Sequence, residues 1–264
     1  MMILRTVAII QARMSSSRLP GKVLKTILGK PMLGYIVERL SWVREIDEIV
    51  VATSREASDQ PIFAFCRENK TACYRGDLDD VLDRFYQTAL EYKADTVIRV
   101  TGDCPCVDPE LVTQLINLFQ RENYDHAGIA TGAGAIFEEA RFPNGLDAEC
   151  FRLQALEKAW REATEPADRE HVTPYIWRNQ DIFKCGSLKP EKDYSYIRLS
   201  VDHQEDFELV TALFEALYKP ERPFLMKEMV DFLEQNPHLI DLNQSFIGKE
   251  GYRNLWKPDN QRDS

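Results

Sequence analysis

The sequence predicts an α/β protein: a doubly wound, mostly parallel sheet with helices on both faces and an irregular inserted region. Short apolar runs alternate with longer amphipathic stretches through residues 5–122, the order that joins parallel strands by crossover helices. The first run, V-A-I-I at 7–10, is apolar throughout, as a strand covered on both faces has to be. Directly behind it lies a loop of small and basic residues, and the carboxyl end of a strand is where such sheets place a phosphate-bearing ligand.

Taken in order, the first strand spans 5–10. Pro31 opens a helix whose Met32, Leu33, Ile36, Val37 and Leu40 recur on one face at the helical period. A second strand spans 46–52, a helix 59–69, and a short third strand 71–74. The helix 79–92 turns Val81, Leu82, Phe85, Ala89 and Tyr92 inward, and a fourth strand spans 95–100. Asp108 is placed to cap the next helix and Pro109 to begin it, as their side chains favour. Beyond 122 the alternation weakens. Gly128, Gly132, Gly134 and Gly145 punctuate 124–150 and predict irregular strands with a mobile loop near the sheet edge. Helices are expected over 153–163 and 168–179, the second disturbed by Pro174. A strand over 196–201 leads into an amphipathic helix, 204–218, and a last helix covers 226–235. The reading is a single domain over 1–235 with its irregular part at 124–195, followed by a polar tail over 236–264 that carries no assignable chemistry.

At 264 residues and 44% hydrophobic, the chain is able to bury a sizeable core. Its formal net charge of −10 argues against a general nucleic-acid binder and leaves room for a local cationic site. No apolar stretch approaches the length needed to span a bilayer. The start, M-M-I-L-R-T-V-A-I-I-Q, runs into the first strand with no cleavage-site pattern, so a cytoplasmic location is expected. Cys66, Cys73, Cys104, Cys106, Cys150 and Cys185 fit neither zinc spacing nor a disulfide framework; reduced, mostly buried thiols are expected. The four histidines show no metal-ligand spacing.

Within 9–30, Arg13, Arg18, Lys22, Lys25 and Lys30 stand among Ser15, Ser16, Ser17, Gly21 and Gly29. Five cations gathered in an acidic chain suit an anion better than a merely solvated loop, since small residues let backbone N–H groups approach it. The segment lacks G-x-x-x-x-G-K-[ST] and G-x-G-x-x-G, which disfavours a Walker ATPase loop and a dinucleotide dehydrogenase. Asp103 and Asp202 each follow a predicted strand, and so reach the same edge as this loop. Two such carboxylates suit Mg²⁺ on a nucleoside triphosphate, although a turn or a helix cap accounts for either one alone. Asp77-Leu78-Asp79 has the spacing of a glycosyltransferase metal motif, but acids at a helix start explain it.

A-R-M-S-S-S-R-L-P-G-K, followed by G-K-P-M, opens a series of blocks: R-G-D-L-D-D-V-L-D-R-F (75–85), R-V-T-G-D-C-P (99–105), F-P-N-G-L-D-A-E (142–149), D-R-E-H-V-T-P-Y (168–175) and S-V-D-H-Q-E-D-F (200–207). In this order they resemble the cytidylyltransferases that make CMP-activated acidic sugars. The likeness is to the branch named for spore-coat polysaccharide biosynthesis, with the 3-deoxy-manno-octulosonate and acylneuraminate enzymes as more distant relatives. The resemblance implies a Rossmann-like nucleotide-diphospho-sugar transferase fold. It also implies CTP as nucleotide, an acidic sugar as acceptor, pyrophosphate release, and a homodimer built through 124–195.

On this resemblance Asp103 and Asp202 hold Mg²⁺, although His203-Gln204 follow Asp202 where relatives often carry Thr-Pro. Arg13 and Lys22 bind the phosphates and, with Asp103, carry catalysis. Ile10, Gln11, Ala12, Ser17, Arg75, Thr101 and Gly102 complete the nucleotide site, with the backbone of 10–12 on the base edge and Arg75 near the cytosine. Arg84 is left open between a helix ion pair with Asp80 or Asp83 and a nucleotide role. Asn144, Asp147, Glu149, Arg169 and His171 are the acceptor residues: carboxylates accept hydroxyl hydrogen bonds, and Arg169 holds the acceptor's carboxylate. A surface ion-pair cluster is the bland alternative. His171 can serve as general base, as can a metal-bound or solvent-assisted route. The rivals are a nucleotidyltransferase using another NTP or a sugar 1-phosphate, a nucleotide-sugar-dependent glycosyltransferase of similar scaffold, and a non-enzymatic binding module.

Overall fold

The computed structural model describes residues 4–132 and 140–249; Gly134 and the end of the tail lie outside the described residues. In chain order come β1 (Thr6–Gln11), the two-residue strands β2 (Thr26–Ile27) and β3 (Lys30–Pro31), α1 (Met32–Leu40), β4 (Glu48–Ser54), α2 (Gln60–Glu68) and β5 (Ala72–Gly76). Then follow α3 (Val81–Glu91), β6 (Thr96–Thr101), α4 (Pro109–Glu122), β7 (His126–Ile129), β8 (Glu149–Arg152) and α5 (Leu153–Glu162). The chain continues through α6 (Pro166–His171), α7 (Pro174–Arg178), β9 (Cys185–Leu188), α8 (Gln204–Leu217), α9 (Met226–Gln235) and α10 (Pro237–Asp241).

Seven strands form one sheet in the order β5-β4-β1-β6-β8-β7-β9. Neighbours pair in parallel except β8, which runs antiparallel to β6 and β7. The expected mostly parallel α/β architecture is therefore present. Successive strand side chains point to opposite faces, and both faces of β1 are covered. Ala8 and Ile10 belong to the core shared with α1, α4, α8 and α9, while Val7 and Ile9 belong to the one under α3, α5 and α7. From β1 the chain steps outward through β4 to β5, then returns to β6 on the other side of β1. Strand order thus reverses between β1 and β6, which opens a crevice at their carboxyl ends.

Local signals act as their chemistry requires. The Asp108 carboxylate accepts from the N–H groups of Glu110 and Leu111 at 2.8 and 3.2 Å, with Pro109 behind it. Asp80 caps α3 by accepting from Asp83 N at 2.9 Å. Asp77 accepts from Asp79 N and Asp80 N, both at 2.9 Å, so the D-x-D spacing is used up by a helix start.

Two expectations need correction. Residues 196–201 form no sheet strand: Tyr196 lies in a turn, and the segment meets 141–147 through one parallel bridge, Asn144 to Arg198. Pro143 has no N–H to extend the ladder, and Gly145 lets the two segments touch, for a Cβ there would lie 2.2 Å from Ser200 N. The alternation persists even so: Ile197, Leu199 and Val201 are buried, and Arg198, Ser200 and Asp202 line the cleft. The helix expected over 168–179 is two short helices, because Pro174 has no N–H to continue the first and Val172 adopts a φ of 73°. The start of the tail packs against the domain. Asn243 is buried, and its Nδ2 donates to Arg198 O at 3.0 Å and Asp206 Oδ1 at 2.8 Å.

All six cysteines are free thiols, four of them buried. Among the described residues no helix is long and apolar enough to cross a membrane.

Candidate active site

A cleft of about 610 Å³ lies at the crevice between β1 and β6. One wall is the loop after β1. Met14 anchors it: its N–H donates to the buried Asp59 carboxylate at 2.7 Å, and its carbonyl accepts from Ser16 and Gly21 at 2.9 and 3.0 Å. Gly21 takes a φ of 69°, which turns the chain so that Lys22 points inward. Of the five loop cations, Arg13, Arg18 and Lys22 line the cleft. Lys25 sits 4.7 Å from the Phe207 ring centre, and Lys30 is bound to Glu38 and Tyr218.

The second element is the turn Thr101-Gly102-Asp103. Gly102 N donates to Gln11 O at 2.8 Å, and a Cβ there would fall 2.9 Å from that oxygen. Only glycine allows so close an approach, and the approach carries Asp103 to Lys22. The Lys22 ammonium donates to Asp103 Oδ2 at 2.8 Å, Asp202 Oδ1 at 2.9 Å and Val201 O at 2.8 Å. Thr101 Oγ1 donates to Asp103 Oδ1 at 2.6 Å, and Arg198 Nη2 to Asp202 Oδ2 at 2.7 Å. Burial opposes every charge in this cluster, but mutual attraction outweighs it. The Lys22 ammonium is held above its ordinary pKa, Asp103 below the usual carboxylate range, and Asp202 at about 2.

Two carboxylate oxygens therefore converge on one cationic point. That donor set, hard oxygens from two aspartates, fits Mg²⁺ completed by phosphate oxygens and water. Among the described residues no group of three or more His, Cys, Asp or Glu could hold a metal without such help.

The opposite wall comes from 144–149 and the α6–α7 segment. Glu149 is buried and accepts from Arg99 Nη1 and Thr173 Oγ1, the latter at 2.8 Å, while His126 Nε2 lies 3.0 Å away. Burial alone would raise its pKa; Arg99 and the hydrogen bonds reverse this and hold it at about 2. Asp147 bonds Thr131 Oγ1 and Gly145 N, and burial pushes it up to about 6. His171 faces the cleft, and burial and Arg99 lower its pKa from 6.5, leaving a neutral imidazole at pH 7. Asn144 Oδ1 accepts from Ser200 Oγ at 2.5 Å.

Most residues expected at the site meet here: Gln11, Ala12, Arg13, Ser17, Lys22, Thr101, Gly102, Asp103, Asn144, Asp147, Glu149, His171 and Asp202 all line the cleft. Three lie elsewhere. Ile10 is fully buried and paired in the sheet to Val51 and Val100. Arg75 reaches back to Ser54 O, Glu56 O and Gln60 Oε1. Arg169 is held by Asp80 and by Trp160 O. In both arginines a guanidinium satisfied by nearby oxygens has no reason to extend into solvent. Arg84 is buried in the cleft wall and donates to the carbonyls of Asp77 and Leu78 rather than to a carboxylate. Arg99 and Arg198 also line the cleft although sequence reasoning passes over them. Their signal is an arginine inside an apolar run, I-R-V and I-R-L.

The sequence pattern of the cytidylyltransferase family matches residues 7–246. The chain is a member of that family. This cytidylyltransferase is 34% identical to the spore coat polysaccharide biosynthesis protein SpsF of Bacillus subtilis, over 87% of this chain and 94% of that one. It is 30% identical to a 3-deoxy-manno-octulosonate cytidylyltransferase of Bartonella bacilliformis, over 72% and 81% of the two chains. A solved cytidylyltransferase from Leptospira borgpetersenii superposes with a TM-score of 0.83 at 29% identity, covering 90% of this chain and 97% of that one. Its Rossmann-like nucleotidyltransferase fold is thus shared with enzymes of the same class.

Proposed function

We propose that this cytidylyltransferase joins CMP from CTP to the hydroxyl of an acidic sugar, releases pyrophosphate, and so supplies surface polysaccharide synthesis. The observation that carries the proposal is the convergence of Asp103 and Asp202 on one cationic point beside the Arg13–Lys22 loop. Mg²⁺ held there would supply Lewis-acid polarisation of the phosphates.

The chain's own residues account for the remainder. Gln11, Ala12 and Arg84 line the cleft, and the base would lie against them. Arg13, Ser17 and Lys22 lie along the triphosphate. As the acceptor oxygen bonds to the α-phosphorus, the α–β anhydride bond breaks and its electron pair passes to pyrophosphate. Fixed cations beside that oxygen stabilise the transition state more than the ground state. His171, neutral at pH 7, takes the acceptor's proton. Asn144 and Asp147 orient its hydroxyls, and Glu149 acts through Arg99 and Thr173. With Arg169 bonded to Asp80, the acceptor's carboxylate would lie near Arg99, which lines the cleft while paired with Glu149 and Gln11. A homodimer through 124–195 belongs to the same proposal, and light scattering in solution tests it.

Steady-state turnover of Asp103→Asn and Asp202→Asn tests the carboxylate pair. Each is expected to lose on the order of a thousandfold while the circular dichroism stays native. Near-native turnover in either variant would remove that residue from the chemistry.

A further inference from the structure

Asp202 reaches the cleft from a junction of three segments, and one buried acid holds them together. Asp206, fully buried in the first turn of α8, accepts from the backbone N–H groups of Asp202 and His203 through Oδ2, at 2.9 and 2.8 Å. Its Oδ1 accepts from Arg198 Nε at 3.0 Å and from Asn243 Nδ2 at 2.8 Å. Arg198, so fixed, donates from Nη2 to Asp202 Oδ2 at 2.7 Å. That leaves Oδ1 of Asp202 turned to the cleft, where it accepts from Lys22 and Arg18, both at 2.9 Å. Oδ1 is also the oxygen that stands with Asp103 Oδ2 on the Lys22 ammonium.

Asn243 closes this arrangement from the tail. It is buried, and its amide donates both to Asp206 Oδ1 and to Arg198 O, the second at 3.0 Å. Turned the other way, the amide would set its oxygen against a carboxylate and a carbonyl, neither of which donates. The orientation is therefore fixed, and it leaves Asn243 Oδ1 with no hydrogen-bond partner among the described residues. Phe246 N then donates to Asn243 O at 3.0 Å, and the Phe246 ring stacks on His203 with ring centres 3.9 Å apart. The tail thus holds Arg198 before Asp202 and His203 after it.

We propose that Asn243 and Asp206 are positioning residues for nucleotidyl transfer: by holding Arg198 and the Asp202 backbone, they make Asp202 offer Oδ1 alone to the metal. The inference rests on the reading of Asp202 as a Mg²⁺ ligand. An aspartate gripped at its backbone N–H and at one oxygen has little freedom to swing the other. Without Asn243, Arg198 loses the brace on its carbonyl, and Asp206 loses the one on the oxygen that holds Nε. Arg198 can then take both oxygens of Asp202 in a fork and compete with the metal. A tail that only anchored the fold would leave metal affinity as it is.

Mn²⁺ takes the same oxygen ligands as Mg²⁺, and electron paramagnetic resonance follows its free form. The full chain is titrated with Mn²⁺ in the presence of CTP, with CTP alone as the blank. Wild type is compared with Asp202→Asn, Asn243→Ala, Asn243→Asp and Phe246→Ala. Both Asn243 variants are expected to bind Mn²⁺ about tenfold more weakly and to need correspondingly more metal for half-maximal turnover, with the acceptor's KM unchanged. Asn243→Asp keeps the shape and loses the donor, so a loss equal to that of Asn243→Ala assigns the effect to the hydrogen bonds rather than to packing. Phe246→Ala keeps the buried network and should show a smaller loss of the same kind; it decides the matter if the Asn243 variants do not fold. Wild-type Mn²⁺ affinity in the tail variants, with only Tm lowered, would overturn the positioning role, and a loss confined to Asp202→Asn would do so while leaving the metal reading in place. If Asp202→Asn also binds Mn²⁺ as wild type does, the metal reading falls and the positioning role with it.

Discussion

On the β1–β6 side of the cleft, charge is held at the surface of the site; on the β8 side it is locked into the core. Lys22, Asp103 and Asp202 form a cluster open to the cleft, with both carboxylates gathered on one ammonium that a ligand can displace. Glu149 is equally charged, yet Arg99, His126 and Thr173 surround it and leave it nothing to exchange. Similar acids beside the same cleft thus do different work. One set is open to exchange its partners with a bound ligand, while the other fixes the shape of the opposite wall and leaves Asp147 and His171 lining the cleft.

The largest expected effect lies on the locked side. Glu149→Ala removes the buried carboxylate that Arg99, His126 and Thr173 share and is expected to cost about 3–5 kcal/mol in denaturant unfolding. Asp202→Asn, whose partners keep other contacts, should cost about 1 kcal/mol or less; equal losses would erase the contrast. Glu149 also sets a pH signature. Its folded-state pKa is depressed, from 4.5 to about 2, so its stabilisation is complete above about 4.5 and is lost as pH falls towards 2. The acid dependence of wild-type stability should accordingly flatten in Glu149→Ala.

Next comes the acceptor chemistry. His171→Gln is expected to lower turnover about a hundredfold and to remove an acid limb of kcat that lies below pH 6.5, the ordinary value from which burial lowers His171. Asp147→Asn should instead raise the acceptor's KM and keep that limb. If the limb disappears with Asp147 and survives without His171, the two roles are reversed.

A smaller effect sharpens the open side. Lys22 and Mg²⁺ would compete for the same two carboxylates, so Lys22→Met should melt lower than wild type without metal. It should also gain a larger Mg²⁺-dependent rise in Tm, by about 2–4 °C. An identical rise in both proteins would separate the ammonium from the metal site. The smallest effect is Arg75→Ala: its guanidinium braces Ser54 and Glu56 outside the cleft, and KM for CTP should change by less than about twofold. A large increase would bring Arg75 back to the nucleotide.

The same contrast explains what could be read from the sequence. The parallel half was legible because β1, β4 and β6 are continuous apolar strands followed by loops whose small and basic residues have few alternative uses. Asp103 and Asp202 were legible as strand-end acids. Beyond 122, pairing depends on glycines and prolines whose partners are distant in sequence, so 196–201 carries the pattern of a strand without a ladder to join. Side-chain direction was the other limit. Arg75 and Arg169 stand in the right blocks, but local oxygens capture their guanidinium groups. Arg99 and Arg198 reach the site from apolar runs that look like pure core. The tail looks featureless because its contribution rests on Asn243, an ordinary polar residue until Arg198 and Asp206 are seen against it.

The central claim is that the open wall takes CTP and the locked wall takes an acidic sugar. Pyrophosphate release tests it most directly, with CTP, UTP, ATP and GTP each offered to a panel of acidic ketoses in the presence of Mg²⁺. The account predicts release with CTP only when an acidic ketose is present, together with a product heavier than that ketose by one cytidylyl group. Release with another nucleotide in preference to CTP, or with neutral sugars as readily as with acidic ones, would contradict it.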